Sequence, residues 1–347
     1  MEEKDLKIAH NMMKLKLKKL AEQVIVITGA SSGIGLATAR MAGDYGARLV
    51  LVSRNEEALK TLVEEFEEKG QKVIYVKADV GIEEDVKRVA KEAIAEFGRF
   101  DTWINNAGVS IFGHAIDVTI PDMKKVFDTV YWGVVYGSRE AVNHFKDREE
   151  PGALINVGSL FGDRGTTVQS TYSAAKFAVH GWTENLRMEA EKDRIPVSVT
   201  LIHPGRIDTP YNEHAQSYLE KQPGHRGMIY PPEAVAEAIL FAAEHPKRDM
   251  FVGGQAKLLS ILGKGFPRLM DKVEEYYAYP TQHISKPSKP KDDSALHEAG
   301  YGLHERGTSE GWRRKSSLYV KASKHPFLST VVVGSVALLA HGLIKKK

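Results

Sequence analysis

An apolar run, Val24-Ile-Val-Ile-Thr28, breaks directly into Gly29-Ala30-Ser31-Ser32-Gly33-Ile34-Gly35. Few short patterns restrict a fold more. β-Branched residues ending on glycine read as a buried strand entering a tight turn. Glycine lets the backbone of that turn come close to a ligand. Residues 34–46 then suit a helix, and its unbonded N–H groups and positive dipole end would face any phosphate in the turn. The spacing is G-x-x-x-G-x-G, not the G-x-G-x-x-G of many dinucleotide folds.

Six more apolar runs follow: ARLVLVSR, KVIYVKADV, FDTWINNAG, ALINVGS, PVSVTLIHPG and DMFVGG. Helical stretches separate them, among them residues 55–69, which end at Gly70. Seven strands alternating with helices predict an α/β, Rossmann-type doubly wound parallel sheet in a three-layer α/β/α arrangement over residues 21–255. There is no internal repeat. Residues 1–20 form a lead-in, either an amphipathic helix or an alternating strand, without the layout of a signal peptide.

Beyond the sheet, residues 256–280 space Leu258, Leu259, Ile261, Leu262, Phe266, Leu269 and Met270 as one or two amphipathic helices broken at Gly263–Gly265 and Pro267. Such a face suits core packing, an apolar substrate entrance or a membrane-facing patch. Residues 281–326 read as a polar linker or weakly ordered arm. Residues 327–344 give 18 residues without formal charge, and three lysines close the chain. As a helix that stretch would reach about 27 Å, close to the roughly 30 Å of a hydrocarbon core. The expectation is membrane association through the C-terminus with a cytoplasmic catalytic domain. A helix docked on protein, in a soluble cytoplasmic chain, is the alternative.

Charge supports that division. The chain carries a net charge of +3, yet residues 281–347 hold 12 Lys/Arg against 5 Asp/Glu. A basic excess confined to the tail argues for anionic lipid and against nucleic acid. No cysteine is present, which excludes disulfides, thiolate catalysis and cysteine-held metal. No cluster has convincing metal-ligand spacing, so no metal is expected.

The second strand ends on Ser53-Arg54. A carboxylate there would favour a free 2′-hydroxyl on the adenosine ribose. Ser53 adds no repulsion, and Arg54 offers charge-assisted bonds to a 2′-phosphate. This predicts NADP(H) favoured over NAD(H).

With TGASSGIG at 28–35, Asp79-Val80, NNAG at 105–108, Ser159, Tyr172-Ser-Ala-Ala-Lys176 and Pro204-Gly205 with Thr209, the chain resembles the short-chain dehydrogenase/reductase family. The motifs stand in the family's order over roughly residues 21–255. The resemblance implies that Gly29, Ser31, Ser32, Gly33, Ile34 and Gly35 line the pyrophosphate end of the cofactor. It implies that Asp79 meets the adenine amino group and Val80 flanks the ring. Asn106, Ala107 and Gly108 would support the nucleotide, and Pro204, Gly205 and Thr209 would lie at its nicotinamide end. A homo-oligomer is also implied.

The same resemblance marks Ser159, Tyr172 and Lys176 as catalytic. Reduction of a carbonyl needs hydride from the cofactor and a proton from the protein. Tyr172 would give that proton, or take it in the oxidation direction. Lys176, four residues on, shares its helix face and would lower the phenol's pKa. Ser159 would hydrogen-bond the reacting oxygen. One departure stands out. Where many relatives carry Asn-x-x-Gly, this chain has Val130 ahead of Gly133, so the family's proton relay lacks its side-chain amide. Residues 206–232, with Tyr211, Tyr218, Met228, Ile229 and Tyr230 among His214, Lys221, His225 and Arg226, should cover a sizeable organic carbonyl or alcohol substrate, while His203, His214 and His225 read as structural or surface residues. The alternative to an enzyme is a nonenzymatic dinucleotide-binding or scaffolding protein, supported only by Val130.

Overall fold

The computed structural model of the chain describes residues 15–309 and 311–324. Seven strands build its central sheet: β1 (Val24–Thr28), β2 (Arg48–Ser53), β3 (Val73–Lys77), β4 (Thr102–Asn105), β5 (Gly152–Val157), β6 (Val197–Pro204) and β7 (Asp249–Val252). Their order is β7-β6-β5-β4-β1-β2-β3, with every pairing parallel. Six helices cover the two faces: α1 (Gly33–Asp44), α2 (Glu56–Glu68), α3 (Glu83–Phe97), α4 (Gly133–Arg148), α5 (Ser170–Lys192) and α6 (Pro232–Glu244). The three-layer Rossmann-type arrangement is the one the alternation predicts.

Side chains alternate across the sheet as strand geometry requires. Ile25, Ile27, Leu49 and Leu51 pack with Leu36 and Ala39 of α1 and Val235 and Ile239 of α6. Val24, Val26, Val50 and Val52 pack on the other face with Val86 and Val89 of α3 and Phe145 of α4. Each such side chain, fully buried, contributes roughly 1.5–3 kcal/mol, so both helical layers are held by the same short apolar runs. Local signals set the helix ends. The Asn55 side chain accepts from Ala58 N at the start of α2, and Gly98 closes α3 at φ 75°.

The strand order reverses between β4 and β1, and the crevice beyond the strands' carboxyl ends opens there. Thr28, at the end of β1, fixes its geometry. Its hydroxyl donates to Ile104 O and accepts from Asn106 N and Ala107 N.

The lead-in and the polar arm differ from their expectations, while the two helices after β7 match theirs. Residues 15–19 are neither helix nor strand; Leu17 is buried, and Lys18 pairs with Asp101 at 3.0 Å. Helices Gly254–Gly265 and Pro267–Val273 follow β7. The expected linker instead folds back on the domain. His283–Pro287 pairs with Lys221–Pro223, Trp312–Arg313 pairs with Met228–Ile229, and Leu296 and Val320 are buried. A few apolar residues spaced along a polar stretch suffice to dock it, and composition averages conceal them.

The expected membrane attachment needs correction. Among the described residues no helix is long and apolar enough to cross a membrane. Segment 327–344, which prompted the idea, lies outside the described residues. The lipid partner and membrane-associated localisation are therefore not retained.

Candidate active site

The glycine-rich turn leaves β1 and enters α1, with Gly29 at φ 68° and Gly33 at φ 55°, a region side-chain-bearing residues rarely occupy. Contacts are equally restrictive. A Cβ on Gly29 would stand 2.8 Å from Ala107 Cα, and one on Gly35 only 2.0 Å from Gly29 O. The turn is thus pressed against the Asn106–Ala107 segment, where Asn106 Nδ2 donates to Thr28 O at 3.0 Å and to Gly29 O. This is a backbone cradle of the kind a pyrophosphate requires, and it is the observation on which the fit of a dinucleotide rests.

One cleft collects nearly all the expected residues. Ser31, Ser32, Gly33 and Ile34 line it with Gly29 from the turn; Arg54 comes from the end of β2, and Asp79 and Val80 from the loop after β3. Asn106, Ala107 and Gly108 follow β4, while Pro204, Gly205 and Thr209 follow β6. Gly35 lies behind the lining, packed on Gly29. Asp79 bonds Lys125 at 2.7 Å and accepts from Gly81 N; burial works against its charge, but these partners hold its carboxyl below the usual range.

Ser159, Tyr172 and Lys176 meet at the cleft's inner end. Ser159 follows β5 and caps a short turn by accepting from Phe161 N at 3.1 Å. Tyr172 and Lys176 stand one turn apart on α5. Lys176 Nζ donates to Val157 O at 2.7 Å and lies 5.7 Å from the centre of the Tyr172 ring. Burial pushes Tyr172 up to about 12, although Ser159 and Tyr211 act in the opposite direction, and burial pushes Lys176 down to about 8. The phenol is therefore a proton holder here, contrary to the lowering expected from its lysine neighbour. The physical reason is that desolvation dominates over the Ser159 and Tyr211 hydrogen bonds, while the Lys176 ammonium is engaged by Val157 O.

Val130 is fully buried in an apolar cluster with Tyr172, Val134 and Ala175. It sits in a π-helical stretch, Asp128–Trp132, between Ile120–Phe127 and α4. Of the aromatic residues expected over the substrate, Tyr211 reaches the cleft, its ring 5.4 Å from that of Tyr172 and its hydroxyl 2.7 Å from both Ser110 Oγ and Gln169 Oε1. Ile229 and Tyr230 instead join the core. His214 and His225 line the cleft, within the segment expected over the substrate but not as the structural or surface residues they were read as. Burial and Arg206 together push His225 down to about 3, so it is neutral.

The fold also assembles a group that sequence spacing missed. Asp163, His180 and His203 bring ligand-type atoms within 4.8 Å of one another. His203 places Nδ1 2.9 Å from Asp163 and Nε2 3.1 Å from Asp249. Burial opposes protonation of His203, but the two carboxylates raise its pKa. Asp163 is held far below the usual carboxylate range by His180 and His203, against burial. Hydrogen bonds alone account for this arrangement. It supports the Ser159 loop, since His180 Nε2 accepts from Ser159 N at 3.4 Å and a Cβ on Gly158 or Gly162 would come within 2.4 Å of that nitrogen.

The glycine cradle and the Ser159, Tyr172 and Lys176 group thus share one cleft at the carboxyl ends of the parallel strands. The family described as short chain dehydrogenase matches residues 23–219, and the chain belongs to it; it is an enzyme acting on CH–OH or C=O groups. It is 66% identical over 328 residues to the uncharacterized oxidoreductase YxnA of Bacillus subtilis (strain 168), covering 94% of this chain and 92% of that one. It is 34% identical over 259 residues to SadH of Mycobacterium tuberculosis, named as an oxidoreductase, covering 72% and 94%. Among solved structures it is similar to a short chain dehydrogenase/reductase from Burkholderia phymatum in complex with NAD, with TM-score 0.67, 25% identity, and coverage of 73% of this chain and 97% of that one.

Two expectations are corrected at this point. The preference for NADP(H) rested on a free Arg54. In the structure the Arg54 guanidinium donates to the carbonyl oxygens of Ala295, Leu296 and His297, at 2.5, 3.2 and 3.3 Å, and the similar Burkholderia protein holds NAD. The homo-oligomer, which rested on the resemblance alone, is also not retained.

Proposed function

We propose that this enzyme interconverts a secondary alcohol and a carbonyl compound with NAD(H), using Tyr172 as proton donor and acceptor. The observation carrying this reading is the convergence of Ser159, Tyr172 and Lys176 at the inner end of the glycine-lined cleft. The nicotinamide, when bound, supplies or accepts the hydride. The chain's residues do the rest. Ser159 Oγ donates to the substrate oxygen and fixes its position. Tyr172, kept protonated by burial, passes its proton to that oxygen in reduction and recovers one in oxidation. Lys176 provides the positive charge that steadies the phenol oxygen as its proton leaves. NAD(H) is favoured because Arg54 is already engaged, and the Burkholderia relative supports that choice.

Tyr211, Phe161 and neutral His225 form the wall beside Tyr172, so the substrate is an organic molecule with an apolar or aromatic body. A second reading, dinucleotide binding with a scaffolding role, draws on Val130 and on the Lys176–Val157 bond, which engages the ammonium. NADH consumption with a panel of ketones and aldehydes separates the two. Turnover that Ser159→Ala abolishes supports the first reading. NADH binding without turnover on any carbonyl compound supports the second.

A further inference from the structure

We propose that residues 295–304, outside the segment matched by the family, form the outer wall of the dinucleotide site and that the dinucleotide leaves only when this strap lifts. The proposal rests on the dinucleotide reading above. Three kinds of contact carry it.

The backbone contacts come first. Leu303 N donates to Ser31 O at 2.8 Å, and Gly33 N donates to His304 O at 2.9 Å. The strap therefore bonds both sides of the glycine-rich turn. Between these bonds Leu303 takes φ 65°, a conformation that only surrounding contacts hold in a residue with a side chain.

Close packing is the second. A Cβ on Gly302 would fall 2.3 Å from Ala58 Cβ, and one on Gly307 2.3 Å from Thr209 O. Only glycine admits the chain at these points, one beside the start of α2 and the other beside the nicotinamide end.

Anchoring is the third. Arg54 takes three carbonyls of residues 295–297, Asn55 Nδ2 donates to Gly300 O at 2.9 Å, and Leu296 is fully buried. Arg40 pairs with Glu305 at 2.8 Å. Ala295, Ala299, Gly300 and Tyr301 then face the same cleft as the glycine-rich turn. The strap closes the adenosine end and leaves the inner end, with Tyr172, to the substrate.

The test follows NADH fluorescence in the full chain, measuring the dissociation constant and, by stopped-flow displacement, the release rate. Gly302→Val pushes the strap off Ala58. Asn55→Asp keeps the helix cap yet sets a carboxylate against Gly300 O, and serves if Gly302→Val fails to fold. Each variant should release NADH about tenfold faster or more, with a proportionally weaker dissociation constant. NADH should also slow tryptic cleavage after Arg306 in the wild type. Tighter binding in the variants would make the strap an obstruction, and unchanged rates with unchanged cleavage would make it a bystander; either overturns the proposal while the dinucleotide reading stands. If neither the wild type nor the variants take up NADH, both readings fall together.

Discussion

Lys176 donates to the carbonyl oxygen of Val157 while standing 5.7 Å from the ring centre of Tyr172. The lysine is thus held by the end of β5, the strand that also carries Ser159 into the cleft. Its charge is available to the phenol only while it stays protonated, and burial has brought it down to about 8.

A pH dependence follows. The ammonium form predominates below about 8 and is lost above it. For carbonyl reduction, kcat/KM reports the free enzyme and should fall as pH rises through about 8. Tyr172, pushed up to about 12, remains protonated throughout. A profile flat from pH 6 to 10 would remove the Lys176 charge from the mechanism.

The Asp163 network should matter for stability. Replacing Asp163 by Asn leaves His203 and His180 without the buried carboxylate they share. Loss of one partner from a buried ion pair costs about 3–5 kcal/mol. Urea unfolding of Asp163→Asn should show a loss of that order, with reduced turnover through the loosened Ser159 turn. The wild type should itself lose this contribution as acid protonates Asp163, since its folded pKa lies below the unfolded value. A variant as stable as wild type at pH 7 would contradict this.

Val130→Asn tests the departure from the family's pattern. Val130 is fully buried beside Val134, Tyr172 and Ala175, and an amide there replaces apolar contact. The expected cost is about 1–3 kcal/mol for a buried unsatisfied group, read as a lower urea midpoint. Unchanged stability would mean that the π-helical stretch Asp128–Trp132 opens a carbonyl to the new amide.

Arg54→Ala probes cofactor choice. With the guanidinium held by the strap, the substitution should weaken NADH and NADPH together and keep their ratio within about threefold, under 1 kcal/mol. A selective tenfold loss of NADPH affinity, measured by titration of both, would show that Arg54 reads a 2′-phosphate after all.

The sheet was legible because its determinants are local. Val24–Thr28 and the glycines after it encode strand, turn and helix within a dozen residues, and seven repeats of that logic leave little choice of topology. The cleft was legible for the same reason, since its lining comes from the loops that follow those strands. What escaped depends on long-range contact. Arg54 reads as a free phosphate ligand until residues 295–297 are placed against it, some 240 positions later. His180, His203 and Asp163 are separated by ordinary spacings and meet only through β6 and α5. The strap itself looks like a linker, because Leu296 and two glycines are too few to mark its composition.

The most direct test of the central claim is turnover by Tyr172→Phe. The substitution keeps the ring that packs against Tyr211 and removes only the hydroxyl. General acid–base catalysis contributes roughly 10²–10⁴-fold. The variant should therefore bind NADH with an affinity close to wild type and reduce the best carbonyl substrate at least about a hundredfold more slowly. Wild-type turnover in Tyr172→Phe would contradict the account.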